Sequence, residues 1–204
     1  KVVDSKAEFK EDIQFGKVLS LSGDSKSYVV IPGKAIGQQE SISFTGWFYP
    51  LTSEKGQIFF DFGKNSSSHL VVTPMVSNNK NLVEIITKDG RVGVSSEFLI
   101  AQNSWNHLAI VLDIPSKLLQ LYLNGQLMSQ TGIDDFKLDQ VFDSSSGGNN
   151  TLNIGKSIAT KDGYLNANLH DFRIYRIPLN ESQIRRIYKN ALGEEEVVVN
   201  TMEN

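Results

Sequence analysis

From residue 17 to residue 175 the chain is a succession of short apolar runs in which apolar and polar positions alternate, broken by Gly, Pro, Asn, Asp or Ser clusters. A period of two marks half-buried strands, because successive side chains leave a strand on opposite faces. Candidate strands fall at 18–21, 28–31, 42–49, 58–62, 70–73, 82–87, 92–94, 107–112, 118–123, 152–154 and 169–175. The clusters between them are the punctuation of short antiparallel strands. The sharpest turn is Asn124-Gly125, between Leu121-Tyr122-Leu123 and Gln126-Leu127-Met128. It meets the positive-φ demand of a two-residue type I′ hairpin.

The run from Gly163 to Tyr188 ends this pattern. By alternation His170, Phe172 and Ile174 point one way, and Asp171, Arg173 and Tyr175 the other. Pro178 stops further ladder pairing. Asn180 then reads as a helix N-cap with Gln183 three residues on, followed by Ile184, Ile187 and Tyr188 at helical spacing. Many short strands with one late helix over 180–192 predict an all-β, two-sheet antiparallel jelly-roll sandwich with one short C-terminal helix. The predicted core is Leu19, Leu21, Ile42, Phe44, Phe48, Phe60, Leu108, Ile110, Leu112, Leu121, Phe172 and Ile174.

At 204 residues the chain is most simply one domain over 1–192, with 193–204 a charged C-terminal tail or linker. In that tail Val197-Val198-Val199 reads either as linker or as an added edge strand. A domain of this size buries roughly 70% of its unfolded surface and needs no disulfide or metal to fold. Cysteine is absent, which removes thiolate metal sites and cysteine nucleophiles together. The net charge of −3, with charges interspersed, argues against a nucleic-acid partner. No apolar stretch approaches the ~20 residues of a membrane helix. Lys1 in place of an initiator methionine points to a trimmed mature protein or an excised domain.

Four segments carry a resemblance: 16–32 (GKVLSLSGDSKSYVVIP), 41–50 (SISFTGWFYP), 105–125 (WNHLAIVLDIPSKLLQLYLNG) and the closing 163–188 segment. In this order and spacing they are similar to laminin G-like (concanavalin A-like lectin/glucanase) jelly-roll domains of the bacterial type. The resemblance covers residues 16–190 and implies a binding module rather than a particular ligand. It also implies a calcium ion near the sandwich edge, held by Asp171 of the last strand and Asp24 of an early loop. His170 stands where the family pairs a second aspartate, so one oxygen ligand is lost.

The glycan hydrolases among such jelly rolls carry Glu-x-Asp-x-x-Glu on one strand face, and no Glu here is followed two residues later by Asp. The strand carboxylates Asp61, Asp113 and Asp171 lie on separate strands, so the paired carboxylates of glycoside hydrolysis are not supplied locally. Gly155-Lys156-Ser157 echoes the end of a phosphate loop, but Asn150 occupies the position of its first glycine. His69, His107 and His170 lie far apart, and His107 shares a face with Ala109 and Val111, as a hydrogen-bonded structural imidazole would.

For a binding face, Ile42, Phe44, Gly46 and Phe48 form one side of their strand, and Ser41, Ser43, Thr45, Trp47 and Tyr49 the other. A ring among hydroxyls suits sugars, whose C–H faces stack while their hydroxyls hydrogen-bond. Trp47, Tyr49, Tyr122 and Arg173 are therefore the expected carbohydrate contacts; the alternative for Trp47 is a ring buried under a loop. The expectation is a non-catalytic carbohydrate-binding accessory module, with a glycan or polysaccharide as ligand and a catalytic domain as neighbour. Its expected setting is a secreted, periplasmic or cell-surface glycan-processing protein. A protein–protein or adhesion module and a divergent hydrolase are the alternatives.

Overall fold

The computed structural model describes residues 1–3, 7–76, 82–95, 100–145, 148–161 and 163–194. In chain order its strands are β1 (Val2–Val3), β2 (Glu8–Asp12), β3 (Gly16–Leu21), β4 (Tyr28–Ile31), β5 (Ile42–Pro50), β6 (Phe60–Asn65) and β7 (Ser68–Val72). They continue with β8 (Val83–Thr87), β9 (Gly90–Val94), β10 (Asn106–Asp113), β11 (Leu118–Leu123), β12 (Gln126–Gly132), β13 (Thr151–Ile154) and β14 (Ala167–Tyr175), followed by helix α1 (Glu181–Ala191). They form two antiparallel seven-stranded sheets, sheet I in the order β1-β4-β13-β6-β7-β8-β9 and sheet II in the order β12-β11-β10-β5-β14-β3-β2. The non-sequential neighbours are the crossovers of a jelly roll.

The inner faces meet in one core, where Phe44, Phe48, Phe60, Phe62, Leu70, Leu108 and Ile110 are fully buried or nearly so. Leu19, Phe172 and Ile174 pack at its edge. The other nine predicted core residues lie in this cluster. Two strands escaped the sequence pattern and a third showed only its start. Strand β1 is too short to show a period, β2 is largely exposed and mostly charged, and β12, legible only at Gln126-Leu127-Met128 as the second arm of the Asn124-Gly125 hairpin, exposes residues on both faces. Strands β2 and β12 are the edges of sheet II, where charge and polarity blunt further pairing instead of building a core.

The alternation predicted for β14 is also corrected. Leu169 faces the core, yet His170 and Phe172 lie on opposite faces: His170 stacks on Phe15 outside, and Phe172 meets Phe59, Phe60 and Phe62 inside. The cause is a β-bulge between His170 and Arg173, opposite Gly46. Asp171 adopts φ +50° there, so one inserted residue flips the phase of the strand. Gly46 makes the room, since a Cβ at that position would sit 2.9 Å from the Phe172 ring.

Candidate functional site

The four expected carbohydrate contacts do share one surface, the outer face of sheet II. Register places Trp47 beside His107 and His170, and Tyr122 and Arg173 beside Ala109 and Thr45. That face is covered. Trp47 is 2% exposed, stacked by Tyr188 of α1 at 5.4 Å and approached by Phe15 at 4.9 Å. Tyr122 is 3% exposed beneath Leu179 and Ile184. Burial, then the Glu181 charge, raise its pKa. Tyr49 is half-buried edge-on to Trp105. Arg173 remains exposed, but its Nε donates to Asp171 Oδ1 at 2.6 Å, which holds the guanidinium more firmly charged.

Local chemistry builds this cover. Asp12 Oδ1 accepts from the Gln14 and Phe15 amides while Oδ2 accepts from Trp105 Nε1 at 3.2 Å. The β2–β3 turn is thereby held down, with Phe15 over Trp47. Ser43 Oγ donates to the Ile177 carbonyl and accepts from the Leu179 amide, pinning the entry to α1 on the sheet. His107, beneath α1, corrects a further expectation: its Nδ1 is buried with no partner. Burial, opposed by the Asp171 carboxylate and aided by the Arg173 charge, lowers its pKa to about 4.

The calcium pair does not assemble. Leu21 pairs with Ala167 in the β3–β14 ladder. Asp24 lies three residues beyond Leu21, and Asp171 four residues beyond Ala167 in the opposite direction. Four residues of strand alone span about 13 Å. A calcium ion needs its oxygens at about 2.3–2.6 Å, so one ion cannot join the two. Asp171 is also engaged by Arg173, and among the described residues no group of three or more His, Cys, Asp or Glu converges on a metal position.

The strand carboxylates do not pair either. Asp61, fully buried on the outer face of sheet I, accepts from Ser157 Oγ at 3.1 Å and the Ile158 amide at 2.8 Å, and contacts His69 Nδ1 at 2.5 Å. The residue types match a Ser-His-Asp set, but the hydroxyl is bonded to the aspartate rather than the imidazole and also accepts from two loop amides. A nucleophile needs its base within hydrogen-bond reach. Asp61 is thus a clamp fastening the 155–160 loop to the sheet. Asp113 caps the Ser116 amide at the far end of β10.

An open concavity remains at the rim, a cleft of 330 Å³ where the 36–40 loop, the β10–β11 turn and the 137–144 segment meet. Ile36, Ile114, Leu138 and Phe142 form its apolar part, continuous with the core. Its polar lining includes Gln39, Glu40, Lys137 and Asp139. Glu40, Lys137 and Asp139 are exposed, whereas Gln39 Nε2 and Oε1 are both buried without a hydrogen-bond partner. An unmet buried polar group costs roughly 1–3 kcal/mol, and since the Gln39 side chain as a whole is only half-buried, rotating its amide out of this pocket and into the cleft would give both atoms partners.

The walls are fastened before any ligand arrives. Asn150 Nδ2 donates to the Gly33 and Asp143 carbonyls, while its Oδ1 accepts from the Asp143 amide at 2.7 Å. Gly33 approaches so closely that a Cβ would lie 2.3 Å from the Gly148 carbonyl oxygen. The Asp143 carboxylate accepts from the Ser145 and Asn149 amides. Its pKa is lowered first by the Ser145 side-chain hydrogen bond, then by those amides. The Lys64 amide donates to the Val141 carbonyl at 2.9 Å, its Nζ reaches the Asp139 carbonyl, and Ser41 Oγ accepts from the Ile114 amide. None of Gln39, Glu40, Lys137 and Asp139 was singled out by alternation, because loop residues have no period. The one local signal was the polar run Gly37–Ser41 between two apolar segments.

The family model of the concanavalin A-like lectin/glucanases superfamily matches residues 23–185. The chain belongs to this superfamily. No curated protein matches it in sequence. Among solved structures, this superfamily member is similar to domain 4 of an extracellular arabinanase from Geobacillus stearothermophilus, determined in complex with arabinotriose. The TM-score is 0.73 at 18% identity, over 91% of this chain and 82% of that one. It is similar to the botulinum neurotoxin serotype G binding domain, with TM-score 0.63 and 17% identity over 92% of this chain and 46% of the other. A third is the binding domain of botulinum neurotoxin DC in complex with SialylT, with TM-score 0.67 and 16% identity over 94% and 46%. The chain thus spans under half of each toxin binding domain, and at these identities the likeness is one of fold.

Proposed function

We propose that this chain is a non-catalytic carbohydrate-binding accessory module of a secreted or cell-surface glycan-processing protein, with the rim cleft as its ligand site. The observation that carries the reading is the cleft itself: Gln39 holds an unmet amide beside Glu40, Lys137 and Asp139, against an apolar floor. Sugars need this mixture, apolar surface for C–H groups and paired donors and acceptors for hydroxyls. Membership of the lectin/glucanase superfamily supports it, as does the shared fold with an arabinanase domain solved with arabinotriose. Glu40 and Asp139 are exposed, without the apolar enclosure that general-acid carboxyls use. A catalytic domain in the same protein would supply the chemistry.

A polypeptide partner has one observation in its favour. Phe9 on edge strand β2 is 63% exposed, and Ile13 in the adjoining turn is fully exposed. The test is a glycan array on the intact domain, followed by calorimetry on each hit with the native protein and Glu40→Gln. Binding weakened about tenfold or more by the substitution supports the reading. Silence across the array overturns it, and so does glycan turnover by the purified domain.

A further inference from the structure

Resting on the carbohydrate-binding reading, we infer that the rim cleft takes the terminal one or two residues of an uncharged glycan, rather than an internal stretch of chain or an acidic sugar. Its volume of 330 Å³ lies at the bottom of the roughly 300–1,000 Å³ range of ligand pockets, room for a chain end and little more. A module that follows a chain along its length presents open aromatic rings as a platform, because flat rings match sugar C–H faces wherever the chain lies. Here, among the described residues, Phe142 is the only ring in the lining; it is 1% exposed and packs 6.3 Å from Phe44 in the core. The rings on a sheet face, Trp47 and Tyr122, lie under α1 on the outer face of sheet II and form no open platform.

The chemistry of the lining selects among chain ends. Recognition of a sugar carboxylate favours arginine, whose planar fork pairs with both oxygens. No arginine lines the cleft among the described residues: the Arg176 guanidinium packs against Gly37 at the rim but donates to the Ala35 carbonyl at 3.5 Å. Lys137 shares the cleft with the carboxylates of Glu40 and Asp139. Carboxylates accept and cannot donate, so they suit hydroxyl donors and repel a second carboxylate. The Gln39 amide, unpartnered and turned away from solvent here, adds two donors and an acceptor once its half-buried side chain rotates into the cleft. Adjacent sugar hydroxyls, which both donate and accept, complement that set; a uronic or sialic acid does not.

The experiment measures calorimetric affinity for neutral arabinose and glucose oligomers of two to six residues. Polygalacturonic-acid fragments and sialyllactose are the charged probes. The expected result is an affinity that stops rising after the second or third residue, no measurable binding of the acidic probes, and a loss of about tenfold or more in Gln39→Ala. Glu40→Gln, exposed and conservative, serves as a second variant with an unchanged melting temperature and weakened binding. Affinity that climbs steadily with chain length overturns the chain-end inference, and tight binding of an acidic probe overturns its neutral selectivity; both leave the carbohydrate reading standing. Binding unchanged in both variants removes the cleft as the site. No binding of any sugar removes the inference and the wider reading together.

Discussion

His107 is 1% exposed, its ring 5.0 Å from Trp47 and 6.0 Å from Tyr188, and burial lowers its pKa from 6.5 to about 4. The native imidazole therefore stays neutral while the unfolded chain takes up a proton. Its stabilising contribution is whole above pH 6.5 and is lost as the pH falls from there toward 4. At about 1.4 kcal/mol per pH unit, the loss over this window is on the order of 3 kcal/mol. Urea unfolding at pH 7.5 and pH 4.5 measures it, and His107→Gln, which cannot titrate, should flatten the difference by that amount. Equal pH dependence in the two proteins would contradict the buried neutral imidazole. Alternation had put His107 on the face of Ala109 and Val111, and that placement holds. Its missing hydrogen bond was illegible, because a partner depends on what lies above the sheet. Gly46 is similar. Its alternation placed it on the core side, but its role in admitting Phe172 follows from a bulge in β14, nine strands later in the chain.

Helix α1 was readable as a helix, since Asn180 and Gln183 exchange the reciprocal bonds of a capping box. Eleven residues make a marginal helix in isolation, so its persistence depends on docking. Ile184 is the helix's one buried residue, set into Ala109, Val111, Tyr122 and Leu179, while Tyr188 stacks on Trp47 over Gly125. Ile184→Ala should cost about 2–4 kcal/mol. Amide exchange across α1 should quicken at the same time, and the tryptophan emission should shift red as Tyr188 lifts from Trp47. A stability loss with unchanged emission would mean that α1 and the Trp47 layer are independent. The docking partner could not be read from residues 180–192, because an amphipathic stripe specifies an apolar surface and not which one. The tail valines Val197-Val198-Val199 lie outside the described residues.

Two sheets sharing one apolar core give a molecule whose integrity rests on packing of the inner faces. With Asp24 and Asp171 at opposite ends of the β3–β14 ladder, excess calcium or a chelator should leave the melting temperature unchanged within about 1 °C. A rise of several degrees with calcium would reveal a site made from other oxygens. The rim cleft belongs to this level as well. Its walls come from the 36–40 loop, the β10–β11 turn and the 137–144 segment, brought together only when the sandwich closes.

The alternation of apolar and polar residues was enough for the fold class, the core and the outward sides of the strands carrying Trp47, Tyr49, Tyr122 and Arg173, and capping with helical spacing was enough for the helix; joining those sides into a common face took the sheet register. Burying one face of each strand is the dominant local demand, and it leaves its period in the chain. Whether that common face meets ligand or helix, which loops enclose a cleft and which polar groups lack partners were settled by contacts between distant segments. Such contacts impose no period, so the sequence carries no local trace of them.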